Sequence, residues 1–369
     1  MVYSSPLMQG DFDDLVLFVD PIENLYGPIR PPYLLAKAFR DRYNVLIVSP
    51  VVADDVKPVL EECAHVIDLG SYHLMKGSLL TLEFWFRRKN IEDLHNSLAI
   101  NFSQCFLVDA LVYYAQGPIS TAIEEIISEM NYLWRGLYRL LRAYIASRDR
   151  DYISEIRRRS LLFIANSHAS SKMYERFRIS VDGVIYPPID CNEFKPTTRR
   201  PSEDYIVTYL GKETRLSVIK YLANKGVRVK AFGTKLPHLF KPLRGHENIE
   251  FLGEVSMKTL VDLYSNALFT LFTFTHEPFG YVPVESMACG TPVLTYDREG
   301  PSETVVDGLT GWVVRNDEEL INRALEIWRD GYPSSMRLQA RSRALLFDIS
   351  NIARLWYSTI ELQHDTFKI

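Results

Sequence analysis

Two glutamates, Glu277 and Glu285, flank a Pro/Gly turn in the stretch His276-Glu-Pro-Phe-Gly-Tyr-Val-Pro-Val-Glu-Ser-Met-Ala-Cys-Gly-Thr-Pro-Val. A carboxylate accepts two hydrogen bonds from a diol, and it stabilises positive charge that develops beside it. The apolar, β-rich run Leu268 to Thr275 reads as a strand buried in a parallel sheet. The spacing then predicts a helix that opens on Pro283, where a missing N–H costs nothing, with Glu285 in its first turn, where the helix dipole favours an anion. Gly290 ends that helix, and Thr291 to Tyr296 returns as the next strand. Acids and exposed backbone N–H groups at the carboxyl end of such a strand are where open α/β sheets bind ligands. The plainer alternative is an ordinary βαβ unit with surface acids.

The chain that must position these groups has 369 residues, enough for two domains with separate cores. A net charge of −4 gives no global case for nucleic acid. Cys63, Cys105, Cys191 and Cys289 show no CxxC spacing, so they frame neither a disulfide scaffold nor a zinc site, which points to a reducing compartment. The first residues lack the basic and apolar regions of a signal peptide, and no uncharged apolar run reaches the ~18–20 residues that span a bilayer. The expectation is a cytoplasmic protein, with membrane association as an open question.

Leu15 to Asp20 reads as a first strand, Tyr33 to Arg42 as a helix, and Tyr43 to Ser49, His65 to Leu69 and Phe106 to Ala115 as further strands. Arg30 reads either as charge offered to a ligand cleft or as a solvated loop arginine. Between 130 and 159, Trp134, Tyr138, Leu141 and Ile145 follow helical spacing with Arg135, Arg139 and Arg142 interleaved. That pattern suits a helix on anionic lipid, or a domain helix whose arginines are merely solvated; the second is favoured because core helices outnumber membrane ones. Asp149-Arg-Asp151 matches the metal-binding DxD spacing formally, but its setting on an arginine-flanked helix is wrong for a metal. Leu161 to Ser167, Tyr205 to Gly211, Val229 to Gly233, Ile249 to Val255 and Gly311 to Val314 complete the strands, and Phe347 to Gln363 reads as helix.

Taken in order, Glu277-Pro-Phe-Gly280, Glu285-Ser-Met-Ala-Cys-Gly-Thr-Pro292, Gly300-Pro-Ser-Glu303 and Asp307-Gly-Leu-Thr-Gly311 resemble the donor-site signature of retaining glycosyltransferases of family four, also called glycosyl transferases group 1. The resemblance implies the α/β GT-B fold: two Rossmann-like domains facing each other across a cleft, with a C-terminal helix crossing back to the first. On that reading residues 1–196 form the acceptor-side domain, 203–345 the donor-binding domain, and 346–369 the returning helix. It implies that Glu285 holds the ribose hydroxyls, that Glu277 lies by the anomeric centre as the catalytic group, and that backbone N–H groups of Phe279, Gly280 and Tyr281 meet sugar or phosphate. Lys212, and with altered spacing Arg215, take the place of the cations that hold the diphosphate. Val255 falls in the loop whose backbone meets the nucleobase. Gly27 is what remains of the glycine-rich first loop, and Gln116 stands where family members often carry a histidine that touches the sugar. His276 is a further candidate for sugar contact.

The implied reaction moves a sugar, with retention, from a nucleotide-sugar donor to a glycan, lipid-linked or protein acceptor. The donor is a substrate, and neither cofactor nor metal is implied. An amide at 116 binds a hydroxyl but transfers no proton near neutral pH. This departure, with the missing glycine pair, keeps open a non-catalytic sugar-nucleotide sensor or complex subunit of the same fold.

Overall fold

A computed structural model of the chain describes residues 14–25, 27–92, 97–121, 123, 132–211, 214–233, 243 and 245–367. Lys212 lies outside the described residues. Strands β1 (Asp14–Phe18), β2 (Asn44–Ser49), β3 (His65–Asp68), β4 (Lys89–Ile91), β5 (Leu98–Asn101), β6 (Phe106–Val108), β7 (Ala110–Ala115), β8 (Ser160–Ala165) and β9 (Gly183–Val184) occupy the first half. Strands β10 (Ile206–Tyr209), β11 (Val229–Phe232), β12 (Ile249–Gly253), β13 (Thr270–Phe272), β14 (Val293–Tyr296) and β15 (Gly311–Val314) occupy the second.

Among the described residues, seven strands form one sheet in the order β3-β2-β1-β5-β7-β8-β9, and six form another in the order β12-β11-β10-β13-β14-β15. In each the chain builds outward from one strand and then returns to that strand's other side. The reversal falls between β1 and β5 in one sheet and between β10 and β13 in the other, which are the positions where such sheets take ligands. The chain divides into two compact units, the first Met1–Tyr114, Asp151–Phe163 and Leu362–Ile369, the second Ala115–Arg150 and Ile164–Glu361.

The second sheet shows why its strands are near-continuous apolar runs. Ile206, Leu271 and Leu294 face a cluster with Ile219 and Leu222 of the Leu216–Asn224 helix. Their neighbours Val207, Phe272 and Val293 face a second cluster with Val284 and Met287 of the Tyr281–Ala288 helix. With both faces covered, alternation of polar and apolar residues disappears.

Three expectations are corrected. The run Phe106 to Ala115 is two strands, because the exposed Asp109 interrupts it: β6 pairs with β4 in a separate ribbon, and β7 joins the large sheet. Arg30 is neither solvated nor in a loop; it is buried at the start of the Arg30–Phe39 helix. The Tyr132–Arg159 helix is only half a core helix. Ile145, Tyr152, Ile153 and Ile156 form its buried stripe, whereas Tyr132 is 80% exposed, Leu140 83% and Tyr144 58%. Asp149 is buried on this helix and accepts from the Ser120 backbone N–H at 2.8 Å, a structural job that accounts for the apparent DxD.

Candidate functional site

The loop between β13 and the Tyr281–Ala288 helix carries Glu277. It ends at Gly280, whose φ of +83° forms the helix N-cap, a conformation that strains any residue with a side chain. The helix therefore starts at Tyr281, two residues earlier than Pro283 suggested. Pro283 sits third, still within the turn whose N–H groups have no helical partner, so it is tolerated there. Glu285 consequently falls in the second turn and loses the dipole support expected of it, which fades beyond the first. It is held by contact instead. Only 6% exposed, its carboxylate accepts from the Tyr264 hydroxyl at 3.2 Å.

The helix end is fixed with equal care. Gly290 N–H donates to the Met287 carbonyl at 2.9 Å and Thr291 N–H to that of Ser286 at 3.0 Å, a Schellman turn with Gly290 at φ +81°. Ser286 Oγ lies 2.6 Å from Thr270 Oγ1 on β13. From the Ser335–Leu345 helix, Arg341 donates to the Ala288 carbonyl at 2.7 Å and Arg337 to Thr291 Oγ1 at 2.8 Å. The element bearing Glu285 is thus pinned along its length.

Tyr209, the last residue of β10, packs against the core cluster that includes Phe274, Phe279 and Val284. Its phenol is pushed up by burial, with the negative charges of Glu277 and then Glu285 adding to the shift. The space around its ring is closed: a Cβ on Gly211 would lie 2.9 Å from the Tyr209 ring and 2.6 Å from that of Phe274. Nothing in the apolar run Tyr205 to Leu210 singles Tyr209 out, because its importance comes from standing at the strand's end.

Arg215 caps the Leu216–Asn224 helix, is exposed, and donates its backbone N–H to Thr273 Oγ1 at 3.1 Å. Its side chain lines an open cavity of about 460 Å³ with Thr275, Tyr296, Arg298, Arg315 and Asp317, all at or beyond the carboxyl ends of β13, β14 and β15. Arg298 and Arg315 were not found by sequence reasoning, since neither falls in a recognised turn. Val255 is partly buried between β12 and the Met257–Asn266 helix, on the second core cluster. His276 is exposed, with Nδ1 3.7 Å from Glu299 Oε1.

Gln116 is half-buried on the loop after β7. The adjacent Gly117 N–H donates to the Tyr174 hydroxyl at 3.1 Å, and a Cβ on Gly117 would lie 3.7 Å from the Pro278 ring. The loop of Gln116 therefore lies against the loop of Glu277. Gly27 belongs to the first unit, with φ +56° and open space where a Cβ would stand. Among the described residues no group of three or more His, Cys, Asp or Glu could hold a metal ion, and no helix is long and apolar enough to cross a membrane. The four cysteines are buried free thiols.

Two parallel-sheeted α/β units of this topology, with acids at the carboxyl end of the second sheet, have the GT-B fold of glycosyltransferases. HepE of Anabaena, solved with UDP and glucose, matches 95% of this chain and 99% of its own with a TM-score of 0.70 at 19% identity. WaaG, a glycosyltransferase involved in lipopolysaccharide biosynthesis, matches 94% of this chain and 98% of its own with a TM-score of 0.65 at 16% identity. Residues 221–344 match the family described as glycosyl transferases group 1, so the resemblance read from the turns around Glu277 and Glu285 holds. The alpha-1,3/1,6-mannosyltransferase ALG2 of Eremothecium gossypii is 38% identical over 87 residues, 22% of this chain and 17% of its own. The D-inositol 3-phosphate glycosyltransferase of Mycobacterium avium is 27% identical over 206 residues, 50% of this chain and 46% of its own. The matches thus span less than half the length of these two relatives.

Proposed function

We propose that this protein is a retaining glycosyltransferase of hexosyl type, which moves a sugar from a nucleotide-sugar donor to a glycan, lipid-linked or protein acceptor without a metal. The observation that carries this reading is the placement of both acids at the carboxyl end of β13: Glu277 on the loop, and Glu285 buried in the helix that opens at Gly280 with exposed backbone N–H groups. Glu285, buried and oriented by Tyr264, suits a ribose diol; Glu277, on the preceding loop, suits the charged sugar of the transition state. Cations answer the charge that grows on the departing diphosphate, and Lys212 and Arg215 are assigned that task. HepE, of the same fold, binds UDP and glucose.

A panel of sugar nucleotides in a thermal-shift assay tests the reading, because a ligand that binds only the folded state raises Tm by mass action. One donor is expected to shift Tm where its parent sugar does not; no shift with any sugar nucleotide would contradict the proposal. The sensor alternative, which the amide at Gln116 favours, also predicts a shift but no turnover. Lys212→Ala is expected to weaken donor binding and lower turnover together, since the diphosphate is met in ground and transition states alike. Unchanged kinetics at subsaturating donor would move the phosphate site elsewhere.

The exposed half of the Tyr132–Arg159 helix supports a peripheral membrane contact. From Tyr132 to Arg148 the sequence holds Arg135, Arg139, Arg142 and Arg148 and no acid, beside the exposed Tyr132, Leu140 and Tyr144. A basic residue at an anionic surface contributes about 1 kcal/mol. Preferential sedimentation with anionic over neutral vesicles at low salt is the expected result, and equal partition would remove the contact.

A further inference from the structure

We propose that Glu303 is a positioning residue that, through the short Glu299–Thr304 helix, fixes the Gln116 loop relative to the Glu277 loop. At one end of that helix, Gly300 N–H donates to the Glu277 carbonyl at 3.0 Å. The approach is so close that a Cβ on Gly300 would stand 2.3 Å from the Pro278 carbonyl oxygen. At the other end, the Glu303 carboxylate accepts from the His168 N–H at 2.9 Å, the Ala169 N–H at 2.6 Å and the Tyr186 hydroxyl at 3.0 Å.

His168 and Ala169 open the His168–Arg176 helix, so a carboxylate there meets unpaired N–H groups and the positive end of the helix dipole. The same helix carries Tyr174, whose hydroxyl receives the Gly117 N–H next to Gln116. Two rigid helices thus connect the two loops: Glu277 to Gly300, Glu303 to the second helix, and Tyr174 to Gly117. Arg343 closes the strut by donating to the carbonyls of Glu303 and Thr304 at 2.8 and 3.1 Å. Tyr186 reports the charge on Glu303, since burial first and that carboxylate second push its phenol up to about 12.

A single bond from carboxylate to helix would be an ordinary cap. Three donors converging on one side chain, at the far end of a helix whose near end holds Glu277, make it a coupling element. The catalytic consequence rests on the transferase reading; the mechanical one does not. Amide hydrogen exchange separates them. In Glu303→Gln the amide NH₂ faces N–H donors, so exchange at Gly117 should quicken about tenfold, the worth of a lost hydrogen bond to a charged group. Exchange in β11, remote from the strut, should stay unchanged. With the donor that wild type turns over, kcat should fall about tenfold while KM for donor stays within about twofold, because misplacement acts on chemistry rather than on ground-state binding.

Tyr186→Phe removes one of the three donors to Glu303 and should quicken Gly117 in the same direction if Glu303→Gln folds poorly. Unchanged exchange at Gly117 in both variants, or equal quickening throughout the second unit, overturns the proposal. A wild type that turns over no donor overturns the transferase reading instead, and the exchange result still decides the strut.

Discussion

Glu277→Gln is expected to lower kcat for donor turnover by about 100-fold, with KM for donor little changed, and Glu285→Gln to do the opposite. The two side chains stand at the same end of the sheet but in different settings. Glu285 sits in the second turn of its helix, 6% exposed and bonded to Tyr264, with no freedom to follow a reacting atom. A diol held there makes the same contacts before and during bond breaking, so its loss appears as uniform binding. Glu277 is half-buried on a loop whose backbone is tied at its own carbonyl to Gly300. A carboxylate fixed in that way stabilises charge developing on the sugar ring without reorganising, and the glutamine amide does not. Melting temperatures of both variants must match wild type for the split to be read as chemistry. The assignment fails if the pattern inverts, or if both variants keep wild-type turnover at saturating donor.

Gly300→Ala is expected to damage both stability and activity. Its Cβ would meet the Pro278 carbonyl oxygen at 2.3 Å, the Phe279 Cα at 2.4 Å and the Phe279 nitrogen at 2.6 Å. All three are backbone atoms, which cannot rotate aside, so the helix or the Glu277 loop must shift. Overpacking of this kind costs about 1–3 kcal/mol of stability. A displacement of about 1 Å at the reacting group costs about 100-fold in rate, so activity should fall well beyond what lost stability explains. Gly136→Ala is the control: nothing lies within 4 Å of its added Cβ, and alanine in a helix is favoured over glycine by about 1 kcal/mol. Equal Tm and activity for Gly300→Ala and wild type would mean that the contact between this helix and the Glu277 loop is not as tight as described.

What the sequence revealed and what it hid have physical causes. The strands around the site were legible because burial on both faces writes them as apolar runs between Gly and Pro turns, as at Leu268 to Thr275 and Thr291 to Tyr296. The helix start was misplaced by two residues because Pro283 looks like a first position. The true boundary is set by the left-handed Gly280, where an added Cβ would stand 3.0 Å from the Pro301 ring. Glu303 was visible only as part of a turn, since its partners His168 and Tyr186 lie more than a hundred residues away in sequence. Tyr209 was hidden inside a strand pattern for the same reason: only the fold brings Phe274 to it. The arginine and aromatic spacing of 130–159 could not separate a core helix from a surface one. One helix is both, with a buried stripe that starts at Ile145 and exposed apolar residues at Tyr132, Leu140 and Tyr144.

The central claim is most directly tested by release of nucleoside diphosphate from a panel of sugar nucleotides, with wild type and Glu277→Gln side by side in EDTA. The account predicts slow release from one donor by wild type without added acceptor, undiminished by the chelator. It predicts release at least about tenfold slower by Glu277→Gln at saturating donor. Release that EDTA abolishes and magnesium or manganese restores, or equal release by the two proteins, would contradict it.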